Sequence, residues 1–269
     1  MPDLIRLAIL GASGRMGRAV TAAALDDPRF EIVAAHSREC TGQDAGTLAG
    51  RPPCGVSVRD DLVAVIDAAD AVIDFTRAAF TPEVAEVCAK TGRSLISGTT
   101  GLDASQRAAL ESAAKTIPVF WAPNMSIGVN LLLAALADVA SRIGDEYDAE
   151  IVEAHHRHKV DAPSGTALAL GEVLAVARNR PLAEIADFGR AGDSGPRETG
   201  RIGFHSLRAG EIVGEHDVRL VSAGEEIRLG HSAFSREAFA AGALRAAAWL
   251  AGRKAGLYGM RELLELSVR

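Results

Sequence analysis

The run Leu7-Ala8-Ile9-Leu10-Gly11-Ala12-Ser13-Gly14-Arg15-Met16-Gly17 constrains this chain more than any other segment. Residues 6–10 read as a strand, and its apolar run implies burial on both faces. Glycines end the strand abruptly. Gly11 permits a tight turn, Gly14 lets a pyrophosphate approach the backbone, and Gly17 lets a helix over 18–25 pack close to the strand. The helix start offers free N–H groups and the positive end of its dipole to phosphates. Gly11, Ala12, Ser13, Gly14, Arg15 and Met16 are therefore the candidate cradle for a dinucleotide. The spacing is GxxGxxG rather than the strict GxGxxG, and a merely structural βα turn can carry the same glycines, so the surrounding pattern has to decide.

That pattern repeats. Short apolar runs at 31–35, 71–74, 94–97 and 118–122 alternate with helical stretches, which implies parallel βαβ units. Thr81 is expected to cap a helix with Pro82 at its first position, and Asp103 to cap the next. From Ile127 the rhythm changes. A long apolar helix over 127–143 leads to a strand at 149–154, a polar stretch to Ser164, and a helix over 165–178. Residues 190–200 read as an irregular, mobile loop. The segments 202–207, 211–221 and 226–231 alternate like antiparallel strands, and a helix is expected from Ser235 to Leu250. The expected fold class is α/β, with a Rossmann-type parallel sheet domain and a second α+β domain holding a mixed or antiparallel sheet.

The 269 residues suffice for one large domain or two modest ones. A net charge of −6 lacks the electrostatic footprint of a nucleic-acid binder. The longest apolar run, 131–137, is too short to span a bilayer, and the N-terminus does not read as a signal peptide. Cys40, Cys54 and Cys88 are odd in number and widely spaced, so a reducing cytoplasm and three small buried side chains are expected.

Two further places carry chemistry. An acidic residue at the end of the second strand would hold the adenine ribose. Here the chain reads His36-Ser37-Arg38-Glu39. Ser37 is neutral, and Arg38 can pair with a 2′-phosphate, which favours NADPH over NADH. Arg38 as a solvated charge, or Glu39 serving NADH from another loop arrangement, are the alternatives. The second place runs from Glu153 to Ala167. His155, His156, Arg157, His158 and Lys159 follow a strand directly, and Ser164-Gly165-Thr166 opens a helix whose N–H groups can receive a carboxylate. The histidine spacing is poor for a metal, and a solvated basic loop is the plain alternative. His and Lys are suitable acid/base groups, so the segment points to proton chemistry on a small anionic ligand.

Together these residues resemble the 4-hydroxy-tetrahydrodipicolinate reductase (dihydrodipicolinate reductase) family. The matching stretches are 11–18, Asp74-Phe75-Thr76-Arg77, Gly98-Thr99-Thr100-Gly101, Pro123-Asn124 with Gly128-Val129-Asn130, 153–167 and 210–216. The resemblance implies NAD(P)H-dependent reduction of 4-hydroxy-tetrahydrodipicolinate, a small cyclic dicarboxylate, in lysine and diaminopimelate biosynthesis. It implies a cofactor domain at 1–126 and 236–269, with a substrate-binding and oligomerisation domain at 127–235, in a cytoplasmic homotetramer. Gly11 through Met16 would hold the pyrophosphate and Arg38 the 2′-phosphate. Gly98, Thr99, Thr100, Ala122, Pro123, Asn124 and Met125 would line the nicotinamide end. His155 would be the proton donor/acceptor and Lys159 the proton donor, with His156, Ser164, Gly165 and Thr166 on the substrate carboxylates. No metal, nucleic acid or membrane is implied. Two departures stand out: Ser37 where many relatives carry Glu, and Ala78 where Pro is common. Another two-domain amino-acid or semialdehyde dehydrogenase, or an NADPH-sensing regulator, are the competing readings.

Overall fold

The computed structural model describes residues 4–266. The two ends of the expected cofactor domain, 1–3 and 267–269, and the first residues of the segment read for a leader, lie outside them. The described chain divides into two units, one running to Ile127 and resuming at Arg236, the other spanning Gly128–Ser235. Ile127, expected to open the second domain, groups with the first unit.

In the first unit the strands are β1 (Ile5–Leu10), β2 (Phe30–His36), β3 (Val58–Arg59), β4 (Ala71–Asp74), β5 (Ser94–Ser97) and β6 (Pro118–Trp121), joined late in the chain by β12 (Gly256–Tyr258). All pair in parallel, in the order β12-β6-β5-β4-β1-β2-β3. The order reverses between β1 and β4, the topological switch point at which doubly wound sheets bind ligands. The helices are α1 (Arg15–Leu25), α2 (Ala45–Leu48), α3 (Leu62–Asp67), α4 (Thr81–Thr91), α5 (Ala104–Ala113), α9 (Glu237–Leu250) and α10 (Met260–Leu263). They cover both faces. Leu7 and Ile9 pack with Val20, Ala243 and Leu250 on one side, while Ala8 and Leu10 pack with Val65, Val84 and Leu110 on the other. Two buried faces explain why β1 is apolar without alternation. Each Leu or Ile so enclosed is worth about 1.5–3 kcal/mol.

The glycine turn is shorter than expected. Gly14 is already the N-cap, and α1 starts at Arg15 rather than Arg18. Gly11 has φ +75°, a left-handed conformation that glycine tolerates. A Cβ on Gly17 would stand 2.1 Å from the Gly11 carbonyl oxygen, so helix and strand meet there only because the residue is glycine. Thr81 is not a cap. A 3₁₀ turn, Ala78–Phe80, places Phe80 at the N-cap, and Thr81 opens the helix with its hydroxyl buried and unpaired. Asp103 and Gln106 form a reciprocal capping box on α5. Of the three free cysteines only Cys88 is fully buried.

The second unit holds most of α6 (Ile127–Ala140), then β7 (Asp148–His155), α7 (Gly165–Ala177), α8 (Leu182–Ile185), β8 (Ala186–Phe188), β9 (Ile202–Arg208), β10 (Gly214–Val221) and β11 (Glu226–Ala233). The sheet order is β11-β10-β7-β9-β8. The antiparallel expectation is corrected for β9, which runs parallel to both β7 and β8. Alternation reports a half-buried strand in either direction. Here the crossover through α7 to β8, and then the connection over 189–201 to β9, each return the chain to the starting end of the sheet, so both strands point the same way as β7. Helix α6 ends at Ala140 and α9 begins at Glu237, each shorter than expected. The 190–200 loop is pinned: Arg190 and Arg197 each lie 2.9 Å from Glu150, and Arg197 2.6 Å from Asp148. Among the described residues, no helix is long and apolar enough to cross a membrane.

Candidate active site

At the carboxyl ends of the parallel strands, the first unit has an open cleft of ≈ 320 Å³, lined by Met16, Phe75, Thr76, Gly98, Thr99, Thr100, Pro123, Asn124, Met125 and Phe239. The loops after β4, β5 and β6 thus meet the first turn of α1 in one place. Asp74, fully buried at the end of β4, ties two of them together. Its carboxylate accepts hydrogen bonds from Thr76 N at 2.9 Å, Thr76 Oγ1 at 2.6 Å, Thr99 Oγ1 at 3.1 Å and Ser97 Oγ at 3.3 Å. Burial pushes its pKa up, against the pull of these donors. A Cβ on Gly98 would stand 2.1 Å from the Phe75 ring, so the cleft floor also requires a glycine. The glycine turn is joined to β2 by a hydrogen bond of 2.7 Å between Ser13 Oγ and Ser37 Oγ. Ser37 is therefore buried, whereas Arg38 is exposed with its guanidinium 5.9 Å from the Phe80 ring centre.

The second unit builds a separate cluster by register. Across β10, β7 and β9, the rows Leu220–Ala149–Ile202 and Val218–Ile151–Phe204 are apolar and buried. The next row on that face is His216–Glu153–Ser206, and beyond it His155 pairs with Arg208. The core-facing side of the sheet thus changes from apolar to ionisable within one period-2 step.

Glu153, 1% exposed, is the centre of this cluster. His155 Nδ1 lies 2.6 Å from Glu153 Oε2, and Arg208 donates to both carboxylate oxygens at 2.9 and 2.7 Å. Ser164 N, at the cap of α7, donates to Oε1 at 3.2 Å. Burial opposes ionisation of Glu153, but the bonds from Arg208, Ser206 and His155 outweigh it and hold the pKa at about 2. Burial also lowers the pKa of His155, partly offset by Glu153. His216 is pushed down to about 4, first by burial and then by the neighbouring His155, whose ring centre is 5.2 Å away. His216 Nε2 sits 3.1 Å from Ser164 Oγ. Lys159 Nζ pairs with Asp161 at 2.8 Å, and that bond holds the Asp161 pKa down against partial burial. A Cβ on Gly214 would come within 3.1 Å of His155 Nε2, so glycine keeps that nitrogen clear.

Family models described as dihydrodipicolinate reductase, N-terminus and C-terminus, match residues 5–125 and 128–264. The chain belongs to the dihydrodipicolinate reductase family. The 4-hydroxy-tetrahydrodipicolinate reductase of Alkalilimnicola ehrlichii is 52% identical over 265 residues, covering 97% of this chain and 99% of that one. That of Hahella chejuensis is 49% identical over 266 residues, covering 98% and 100%. A dipicolinate-bound dihydrodipicolinate reductase from Paenisporosarcina sp. TG-14 superposes with a TM-score of 0.76 at 25% identity, covering 97% and 99%. The C-terminal family model extends past Ser235 into α9 and α10, which return to the first unit.

Of the residues singled out from the sequence, Met16, Gly98, Thr99, Thr100, Pro123, Asn124 and Met125 line the cleft. Gly11 to Arg15 form the turn leading into it, and Ala122 lies buried behind it. In the second unit, His155 and Ser164 share Glu153. Gly165 and Thr166 open α7, while His156 stands near His158, with ring centres 6.2 Å apart. Sequence reasoning gave no role to Phe75, Thr76, Phe239, Asp74, Glu153, Arg208 or His216. Asp74 and Glu153 were each visible as an acid at the end of an apolar strand, and both fell in family-matching stretches. His216 ended the family-matching stretch 210–216, while Arg208 and Phe239 had no signal, because only folding brings them to these sites. The residues fit a dinucleotide. Gly14 is exposed at the start of a helix, Gly98 admits no side chain, and the exposed Arg38 stands past the end of β2 where a carboxylate would disfavour a phosphate.

Proposed function

We propose that the protein reduces 4-hydroxy-tetrahydrodipicolinate to tetrahydrodipicolinate with loss of water, at the expense of a reduced nicotinamide dinucleotide, in lysine and diaminopimelate biosynthesis. The family supports the reaction, and one observation supports the chemistry: a buried, ionised Glu153 holding His155 beside the start of α7. Gly11, Ala12, Ser13, Gly14, Arg15 and Met16 receive the pyrophosphate on free N–H groups at the start of α1. Arg38 pairs with a 2′-phosphate, and Ser37 offers no carboxylate to repel it, so NADPH is preferred to NADH. Gly98, Thr99, Thr100, Pro123, Asn124 and Met125 hold the nicotinamide end, with Ala122 behind them. When bound, the reduced nicotinamide supplies the hydride.

The substrate is a six-membered ring with two carboxylates. His156 and the Ser164-Gly165-Thr166 turn bind those carboxylates, using the α7 N-terminus as the anion site. Once water has left the ring, hydride arriving at one carbon makes its neighbour an enamine carbon, which must take a proton. His155 Nε2 and Lys159 Nζ are the groups that deliver it, and their cationic forms stabilise the charge that builds on the ring. The family reading also makes the working form a cytoplasmic homotetramer, which light scattering on the purified protein tests.

The decisive assay follows NADPH absorbance with and without the cyclic substrate. NADPH is consumed only when that compound is present, and at matched salt kcat/KM is higher with NADPH than with NADH. Consumption with a 2-oxo acid and ammonium, or with an acyl phosphate, in its place overturns the assignment.

A further inference from the structure

The Glu153 side chain is more elaborately held than a structural ion pair requires. Arg208 alone would neutralise it, and a buried pair of that kind is commonly no more stable than apolar residues of the same size. Instead the carboxylate takes bonds from His155, Arg208, Ser206 and Ser164, on two strands and a helix cap. Oε2 takes His155 Nδ1 at 2.6 Å and Arg208 Nη1 at 2.9 Å, while Oε1 takes Arg208 Nη2 at 2.7 Å and Ser164 N at 3.2 Å. One side chain therefore orients the imidazole and anchors the cap of α7, where the substrate carboxylate is placed.

We propose that Glu153 is a positioning residue for proton transfer: clamped by Arg208, it holds His155 in the Nδ1–H tautomer and leaves Nε2 as the nitrogen that exchanges a proton with the substrate. The inference rests on the reading of His155 as a proton-transfer group. An ionised carboxylate can only accept, so the Nδ1 facing it must carry the hydrogen. Nε2 points past Gly214, where a Cβ would already crowd it at 3.1 Å. A proton taken up at Nε2 makes an imidazolium whose charge Glu153 faces directly; its delivery to the substrate carbon restores the neutral Nδ1–H ring. Without Arg208 the carboxylate would compete for that proton. Around the imidazole stand Glu153 on the same strand, Arg208 from β9, His216 from β10 and Lys159 from the following loop; only Glu153 favours the cation.

The first test reads the unaltered protein and uses a variant only for assignment. Long-range 1H–15N spectra of histidine-labelled protein, assigned with His155→Gln, report the tautomer of His155 without substrate or cofactor. The Nδ1–H form is expected, and the Nε2–H form overturns the inference. In the second test, Glu153→Gln keeps NADPH affinity, which belongs to the first unit, and loses at least ~10-fold in kcat with little change in KM. The pH limb that titrates His155 moves to lower pH, a change that simple loosening of the sheet would not produce. Unchanged kcat and an unmoved limb overturn it. If His155→Ala itself retains full turnover, the parent reading fails; if only Glu153→Gln does, this inference alone fails.

Discussion

His155 and Lys159 are placed to move protons, and each such role typically contributes ~10²- to 10⁴-fold in rate. His155→Ala and Lys159→Ala are therefore expected to cut turnover by about that range while NADPH affinity, measured by fluorescence titration, stays near normal. Arg38 is exposed, with its guanidinium over the face of Phe80. Arg38→Ala should weaken NADPH by roughly 1.5–3 kcal/mol, the worth of a hydrogen bond to a charged group, and leave NADH unchanged in the same titration. Gly14→Val should weaken both cofactors, because its side chain would occupy the phosphate approach. At this scale the sequence was legible wherever a residue's chemistry is unusual for its surroundings. Gly11, Gly98, His155 and Lys159 announce themselves by type and position. Arg208 does not. It is one arginine among many until parallel pairing sets β9 beside β7 and brings its guanidinium onto Glu153.

Elements followed from local rules where those rules are self-contained. Asp103 and Gln106 cap α5 with bonds of 2.9 Å in both directions, so Asp103→Ala should cost ~1 kcal/mol in urea unfolding. Thr81 looked like a cap by the same logic. The 3₁₀ turn before it shifted the start of α4 by one residue and left the hydroxyl buried without a partner. Glycine turn and α1 show the same kind of limit: the close approach of Gly17 to Gly11 was readable, but the first helical residue was not. The short elements β3, β12, α2 and α10 left too few residues for any period to register. Strand direction in the second unit was illegible for a different reason. Alternation reports which face of a strand is buried and carries no sign of which way the strand runs.

His216, Glu150 and Glu153 of the second unit respond to acid in the opposite sense to Asp74 of the first. In the second unit His216 is depressed to about 4 from an ordinary 6.5, so the unfolded chain takes up the proton first and stability falls as pH drops from about 6.5 towards 4. Glu150 and Glu153 are each held at about 2 against an ordinary 4.5, in both cases because partner bonds outweigh burial. Their stabilisation is complete above 4.5 and is lost as pH falls towards 2. Asp74 in the first unit is raised by burial, so acid favours its folded form. Hydrogen exchange at pH 7 and pH 5 should therefore show protection lost first in β7, β9 and β10. Equal loss in β1, β4 and β5 would count against these assignments.

By itself the sequence determined the parts that depend on neighbours along the chain: the βαβ alternation, the glycine turn, the cap of α5 and the density of acid/base groups after β7. These arise from backbone geometry and side-chain size within about a dozen residues. Only the tertiary structure decided the sheet order, the parallel direction of β9, the meeting of three loops, α1 and Phe239 in one cleft, and the grip on Glu153. Those features depend on which distant strands pair and in what register, and that is set by the burial of whole faces.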